Sequence, residues 1–144
     1  MNIKADKMRY QANKSGYALI LLGMAISIVA LFRIITPVTV IPDFSIALEI
    51  IVNIMLMLTT FLAAERCKFY QKTWAIVSFV IAGTHVLRIF YVPTQLLSKG
   101  QITTSQFMII VLLLIASATS IIGGGLITWS KFHRLHQHLK EIGE

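Results

Sequence analysis

The stretch YALILLGMAISIVALFRII, residues 17–35, decides the fold: its nineteen residues hold no charge before Arg33, and the first proline is Pro37. An α-helix rises 1.5 Å per residue, so about 20 apolar residues cross a hydrocarbon core of about 30 Å. Three further apolar runs follow at about 44–64, 74–92 and 107–129. The fold class expected is all-α: a four-transmembrane-helix bundle forming a single integral membrane domain over residues 1–144. Composition points the same way. Of the 144 residues 56% are hydrophobic and 13% charged, with mean hydropathy +0.77, whereas soluble domains carry about 45–50% and about 25%. Four crossings use roughly 80 residues, which leaves no room for a separate soluble catalytic, sensor or nucleotide-binding domain. The first run is too long for a signal peptide, and Arg33 with bulky neighbours stands where a small-residue cleavage site belongs; a retained helix is expected.

The net charge is +7, and ten of the thirteen basic residues fall on one side of this topology. Lys4, Lys7, Arg9 and Lys14 precede the first run, Arg66, Lys68 and Lys72 follow the second, and Lys131, Arg134 and Lys140 follow the fourth. Only Arg33, Arg88 and Lys99 fall on the other side. Lys and Arg concentrate in cytoplasmic loops, so a multi-pass plasma-membrane protein with both termini cytoplasmic (N-in/C-in) is expected. The partner of the bases is then the anionic headgroups on the cytoplasmic side of the lipid bilayer, not nucleic acid.

Local signals refine the spans. Pro37 ends the first helix, and Pro42-Asp43 restarts the chain with Asp43 as N-cap of the second. Pro93 to Ser98 has room for one short turn before Gly100, and Thr103-Thr104-Ser105-Gln106 matches a capping box. Trp74 and Trp129 are placed at the inner interface. Beyond Trp129, the residues Phe132, Leu135, Leu139 and Ile142 keep helical spacing, which predicts an amphipathic cytoplasmic tail over 130–144. Leu31-Phe32-Arg33-Ile34 pairs with Val86-Leu87-Arg88-Ile89, and Lys68-Phe69-Tyr70 pairs with Lys131-Phe132-His133. These matches suggest two repeated helical hairpins.

Charged groups inside a span are costly and mark candidate sites. Topology gathers Arg33, Glu49, Asn53, His85 and Arg88 into one polar layer in the outer half of the bilayer. Glu49 and Asn53 share a helix face at i, i+4, and His85 and Arg88 share one at i, i+3. Two readings are open: a structural clamp, with Glu49 neutralising Arg33 or Arg88, and an ion, proton or anionic-headgroup site in which His85 titrates. In the fourth run Ala116, Ser120, Gly124 and Thr128 recur at every fourth position beside Gly123 and Gly125. Such a helix-packing face suits internal packing or docking of a second chain; Gly23 and Ser27 offer a shorter version in the first run.

Catalytic signatures are missing. The single cysteine, Cys67, excludes an intramolecular disulfide and a dithiol relay. His133, His136 and His138 lack the cysteine or nearby carboxylate that would complete a metal set, so no metal and no cofactor are expected, and the tail reads as a solvated basic face. No phosphate-binding loop or nucleophile motif is present. Glu65-Arg66 lacks the longer polar run of glutathione-using four-helix membrane enzymes.

The opening Met1-Asn2-Ile3-Lys4-Ala5-Asp6-Lys7, together with Ala12-Asn13-Lys14, Phe61-Leu62-Ala63-Ala64-Glu65, Leu87-Arg88-Ile89-Phe90 and Leu139-Lys140-Glu141-Ile142-Gly143-Glu144, carries a resemblance over the whole chain. It resembles small, uncharacterised four-helix membrane proteins of Gram-positive bacteria encoded beside permeases of carbohydrate ABC importers. That group has no motif of assigned function to carry over. The resemblance implies association with a transporter, and hence a non-enzymatic accessory or stabilising subunit with a membrane-protein partner, a transporter subunit. The alternative is a homo-oligomeric small transporter or channel, partnered with itself and using the Glu49/His85 layer.

Overall fold

The computed structural model describes residues 7–37 and 44–143. Among the described residues the main helices are, in order, α1 (Lys14–Ile35), α2 (Phe44–Cys67), α3 (Lys72–Ile89), α4 (Val92–Ser98) and α5 (Thr104–Glu141). Four segments are long and apolar enough to cross a membrane: α1, α2, α3 extended through α4, and α5. The expected N-cap Asp43, the restart at Pro42 and the basic Lys4 lie outside the described residues.

The long helices run up and down in a ring. Each packs on the one before it, and α5 closes the ring by packing on both α1 and α3. The α1–α5 seam is the most extensive. Large apolar side chains such as Leu22, Phe32, Met55, Leu58, Val80, Leu87, Met108, Leu112 and Leu126 point outward and form an apolar belt. The buried side is made instead of small and branched residues: Ala30, Ala63, Ala64, Ala75, Ala82 and Ala118, with Ile20, Ile34, Ile81, Ile110 and Ile121. This inversion of a soluble bundle follows from the solvent. Lipid tails are as apolar as leucine, so helices associate by close approach and polar contacts instead of by hiding leucines.

Glycine makes that approach possible at the seam. A Cβ on Gly124 would sit 2.6 Å from Ile20 Cγ1 and 2.7 Å from the Gly16 carbonyl oxygen. One on Gly23 would sit 2.9 Å from the Ser117 carbonyl oxygen. Gly125, turned about 100° from Gly124, faces α3 instead, where a Cβ would meet Phe79 Cε1 at 2.9 Å. The consecutive glycines thus let α5 touch α1 and α3 at one level. Hydroxyls reinforce the seam: Ser117 Oγ donates to the Gly23 carbonyl and Ser120 Oγ to the Leu19 carbonyl, both at 2.7 Å.

The structure corrects the expected face in part. Gly124 and Thr128 are buried and Ser120 is half-buried, but Ala116 is exposed. A strict four-residue repeat precesses by about 40° per step around a helix of 3.6 residues per turn. Ala116 therefore lies about 120° from Thr128 and leaves the seam. The residues that stay on it are Ser117, Ile121, Gly124 and Thr128.

Span ends also shift. The third long helix stops at Ile89, not 92, because Pro93 supplies no N–H and disfavours helical backbone before it. The chain turns at Phe90 and Tyr91 and re-enters helix as α4, with Pro93 in its first turn. Val92 and Leu96 of α4 join Ile34, Ile46, Ile102 and Ile110 in a cluster that closes one end of the bundle. The chain leaves α4 through Gly100, whose φ of +66° suits glycine. The capping box at α5 is present, with Gln106 N–H donating to Thr103 Oγ1 at 3.2 Å and Thr103 N–H donating to Gln106 Oε1 at 2.8 Å.

Asn13 organises the other end. It is buried, and its N–H donates to the Lys68 carbonyl at 2.9 Å. Its Nδ2 donates to the Cys67 carbonyl at 3.2 Å and to Thr128 Oγ1 at 2.9 Å. Its Oδ1 accepts from Gly16 N–H, capping α1, and from Lys131 Nζ at 3.0 Å. One side chain thus joins the start of α1 and the end of α2 to α5 at Thr128 and Lys131. Nearby, the Tyr70 hydroxyl donates to the Gln11 carbonyl at 2.9 Å, and burial pushes that phenol's pKa up. Past Lys131, α5 continues unbroken for about ten residues, roughly 15 Å.

Gly124→Ala is expected to lower bundle stability by about 1–3 kcal/mol, the cost of overpacking a tight contact. Gly83→Ala, where a Cβ meets nothing within 4 Å, is expected to be neutral or slightly stabilising. Unfolding of both variants in detergent, followed by circular dichroism, checks the contrast.

Candidate functional site

Three of the five residues of the expected polar layer, Glu49, His85 and Arg88, come into contact, and Asn53 is buried one turn from Glu49. Glu49 sits on the second turn of α2, with Asn53 one turn further on the same face. Arg88 is the penultimate residue of α3, with His85 one turn earlier. All four are at most 5% exposed. Arg88 Nε donates to Glu49 Oε1 at 2.9 Å, and Arg88 Nη2 donates to the same oxygen. Arg88 Nη1 donates to His85 Nδ1 at 3.1 Å. A guanidinium has no acceptor, so Nδ1 must be the acceptor and the neutral ring carries its proton on Nε2.

Arg33 stands apart. It is exposed on α1 and has no ion-pair partner among the described residues. The question left open by the sequence, whether Arg33 or Arg88 meets Glu49, is answered for Arg88. The two Arg-Ile corners are therefore not equivalent: one arginine is buried and paired, the other is not.

The chemistry open to the group is limited by this pairing. Glu49 is committed to a cation and cannot act as a free base while the pair holds. Two buried atoms remain without a hydrogen-bond partner, Asn53 Oδ1 and His85 Nε2. The first accepts and the second donates, so they are complementary in sign. Among the described residues, no three of His, Cys, Asp and Glu gather where a metal ion could be held.

The tail histidines divide. His133 and His136 are exposed, and the His136 ring stacks on Phe132 with centroids 5.8 Å apart. His138 is buried, which corrects the expectation of a solvated face for that residue: it falls on the side of the helix shared with half-buried Leu135 and Leu139. Asn13 is the functional-looking residue that the sequence reading passed over. Its signal was present, an asparagine immediately before an apolar periodic run, which is an N-cap position. Nothing local announced its bonds to residues 54 and 115 positions away.

Glu49→Gln leaves the Arg88 charge buried without its counter-charge, and breaking such a pair costs about 3–5 kcal/mol. The double variant Glu49→Met, Arg88→Met removes both charges and is expected to recover most of that loss. Thermal unfolding in detergent checks both; an unchanged midpoint for Glu49→Gln would show that the pair does not hold α2 to α3. No family model, curated protein or solved structure matches the chain.

Proposed function

We propose that this polytopic membrane protein is a non-enzymatic accessory subunit that stabilises a larger membrane complex, with both termini cytoplasmic. One observation carries the reading: among the described residues, most buried polar side chains of the bundle are taken up within it, Asn53 Oδ1 and His85 Nε2 being the exceptions in the polar layer. Buried Ser27, Thr60, Ser78, Ser117 and Thr128 each donate to a backbone carbonyl, and Glu49 is taken up by Arg88. An interior of that kind offers no chain of free polar groups along which an ion or solute would pass. The face available for work is then the apolar exterior, together with the α5 extension beyond Lys131. The resemblance in sequence supports a carbohydrate ABC importer of a bacterial plasma membrane as the complex. Less supports the alternative of a self-associating carrier: Asn53 and His85 form a polar spot at one end, with no continuation through the inner half.

The test is purification of the tagged chain at native expression in a mild detergent, with mass spectrometry of the eluted particle. Stoichiometric recovery of a permease or ATPase subunit is the expected result. A homo-oligomer without partners, giving pH-dependent flux in proteoliposomes that Glu49→Gln abolishes with folding intact, would overturn it.

A further inference from the structure

Arg33, without an ion-pair partner among the described residues, lines a groove of its own. Between the end of α1 and the start of α5 is a cleft of about 270 Å³, lined by Val29, Phe32, Arg33, Thr36, Gln106 and Ile109, with Pro37 at its edge. Its walls are almost entirely apolar, and Val29, Phe32 and Ile109 are among the large exposed side chains of the outer belt. The cleft therefore opens toward lipid. Among the described residues that line it, Arg33 is the charged one and none is a carboxylate. Thr36 Oγ1 is already committed, donating to the Phe32 carbonyl at 2.6 Å. Gln106 Oε1 is held by Thr103 N–H, which leaves the Gln106 amide Nε2 as a donor.

A guanidinium on a membrane-facing surface needs an anion or water. Arg33 is two residues from the end of α1, so its side chain can reach the headgroup level while its stem stays along apolar surface. The planar fork matches a phosphate oxygen pair, which accepts two parallel hydrogen bonds. The first turn of α5, where Gln106 sits, adds the positive end of a helix dipole. An acyl chain fits the rest of the cleft, walled by Val29, Phe32 and Ile109. We propose that this groove binds one anionic phospholipid, with its phosphate on Arg33 and one acyl chain against Val29, Phe32 and Ile109.

Charge complementarity decides the occupant. A zwitterionic lipid brings an ammonium that none of the described lining residues has a carboxylate to receive, and a purely apolar helix leaves Arg33 without a partner. The inference needs only a bundle that sits in a bilayer, so it stands or falls independently of the accessory role.

The test uses the full chain in a non-ionic detergent, titrated with phosphatidylglycerol or with phosphatidylcholine and read by native mass spectrometry. One phosphatidylglycerol per chain is expected to be retained, with a preference over phosphatidylcholine of about five-fold or more, the contribution of one basic residue at an anionic surface. Arg33→Gln is expected to abolish the preference and Arg33→Lys to keep most of it. Ile109→Trp fills the groove with Arg33 in place and is expected to lose the lipid. Arg134→Gln, on the far extension of α5, is expected to retain it. Retention of phosphatidylglycerol by folded Arg33→Gln or Ile109→Trp at the wild-type level would overturn the proposal, as would loss of the lipid in Arg134→Gln.

Discussion

The α1–α5 seam is the constraint on which the other contacts depend. In lipid there is no hydrophobic gain from bringing two apolar helices together, so their contact must come from dispersion at short range and from polar groups that lipid cannot satisfy. Gly16, Gly23 and Gly124 remove the Cβ atoms that would hold the backbones apart. That approach brings Ser117 and Ser120 within reach of carbonyls on α1. It also brings Thr128 against Asn13, and through Asn13 the end of α2 is attached to the same seam. A helix carrying three consecutive glycines is intrinsically weak; here that weakness is offset because two of the three are contact points with different neighbours.

The opposite end of the bundle is held by a different interaction. Between α2 and α3, Glu49 and Arg88 supply a charge pair in place of backbone-directed hydroxyls. A pair of this sort is expensive to bury and still more expensive to break. Its value lies in register: it fixes which turn of α2 faces which turn of α3, a choice that apolar packing alone leaves open. α4 then folds over the same end, where its Val92 and Leu96 pack with Ile34 and Ile46.

Much of this fold was legible because membrane helices announce themselves by length and composition. The four apolar runs, the break at Pro93 and the capping box at Thr103 all follow from rules that act within a few residues. The Glu49–Asn53 and His85–Arg88 pairings on helix faces were legible for the same reason. What could not be read was rotation of one helix against another. Rotation decides that Arg88 turns inward while Arg33, in a near-identical local sequence, turns outward. It also removes Ala116 from the packing face, since an every-fourth pattern drifts around the helix. Asn13 shows the other limit: its position as a cap is local, whereas its partners Cys67 and Thr128 come together only when the start of α1 and the end of α2 meet α5 partway along its length.

The unequal fates of Arg33 and Arg88 bear on what the molecule does. A membrane protein can neutralise a cation in three ways: with a carboxylate of its own, with water, or with an anionic partner outside itself. Arg88 takes the first route, through Glu49. Arg33 has no ion-pair partner among the described residues and lines a mostly apolar cleft. With most buried polar side chains taken up inside, specificity for anything beyond the chain has to be expressed at the surface. Among the described residues, Arg33 is the charged group in the cleft between the end of α1 and the start of α5. The α5 extension is a different case: its half-buried Phe132, Leu135 and Leu139 and its buried His138 are covered in part by the chain itself, with Leu135 lining one cleft together with Met8, Tyr10 and Phe69.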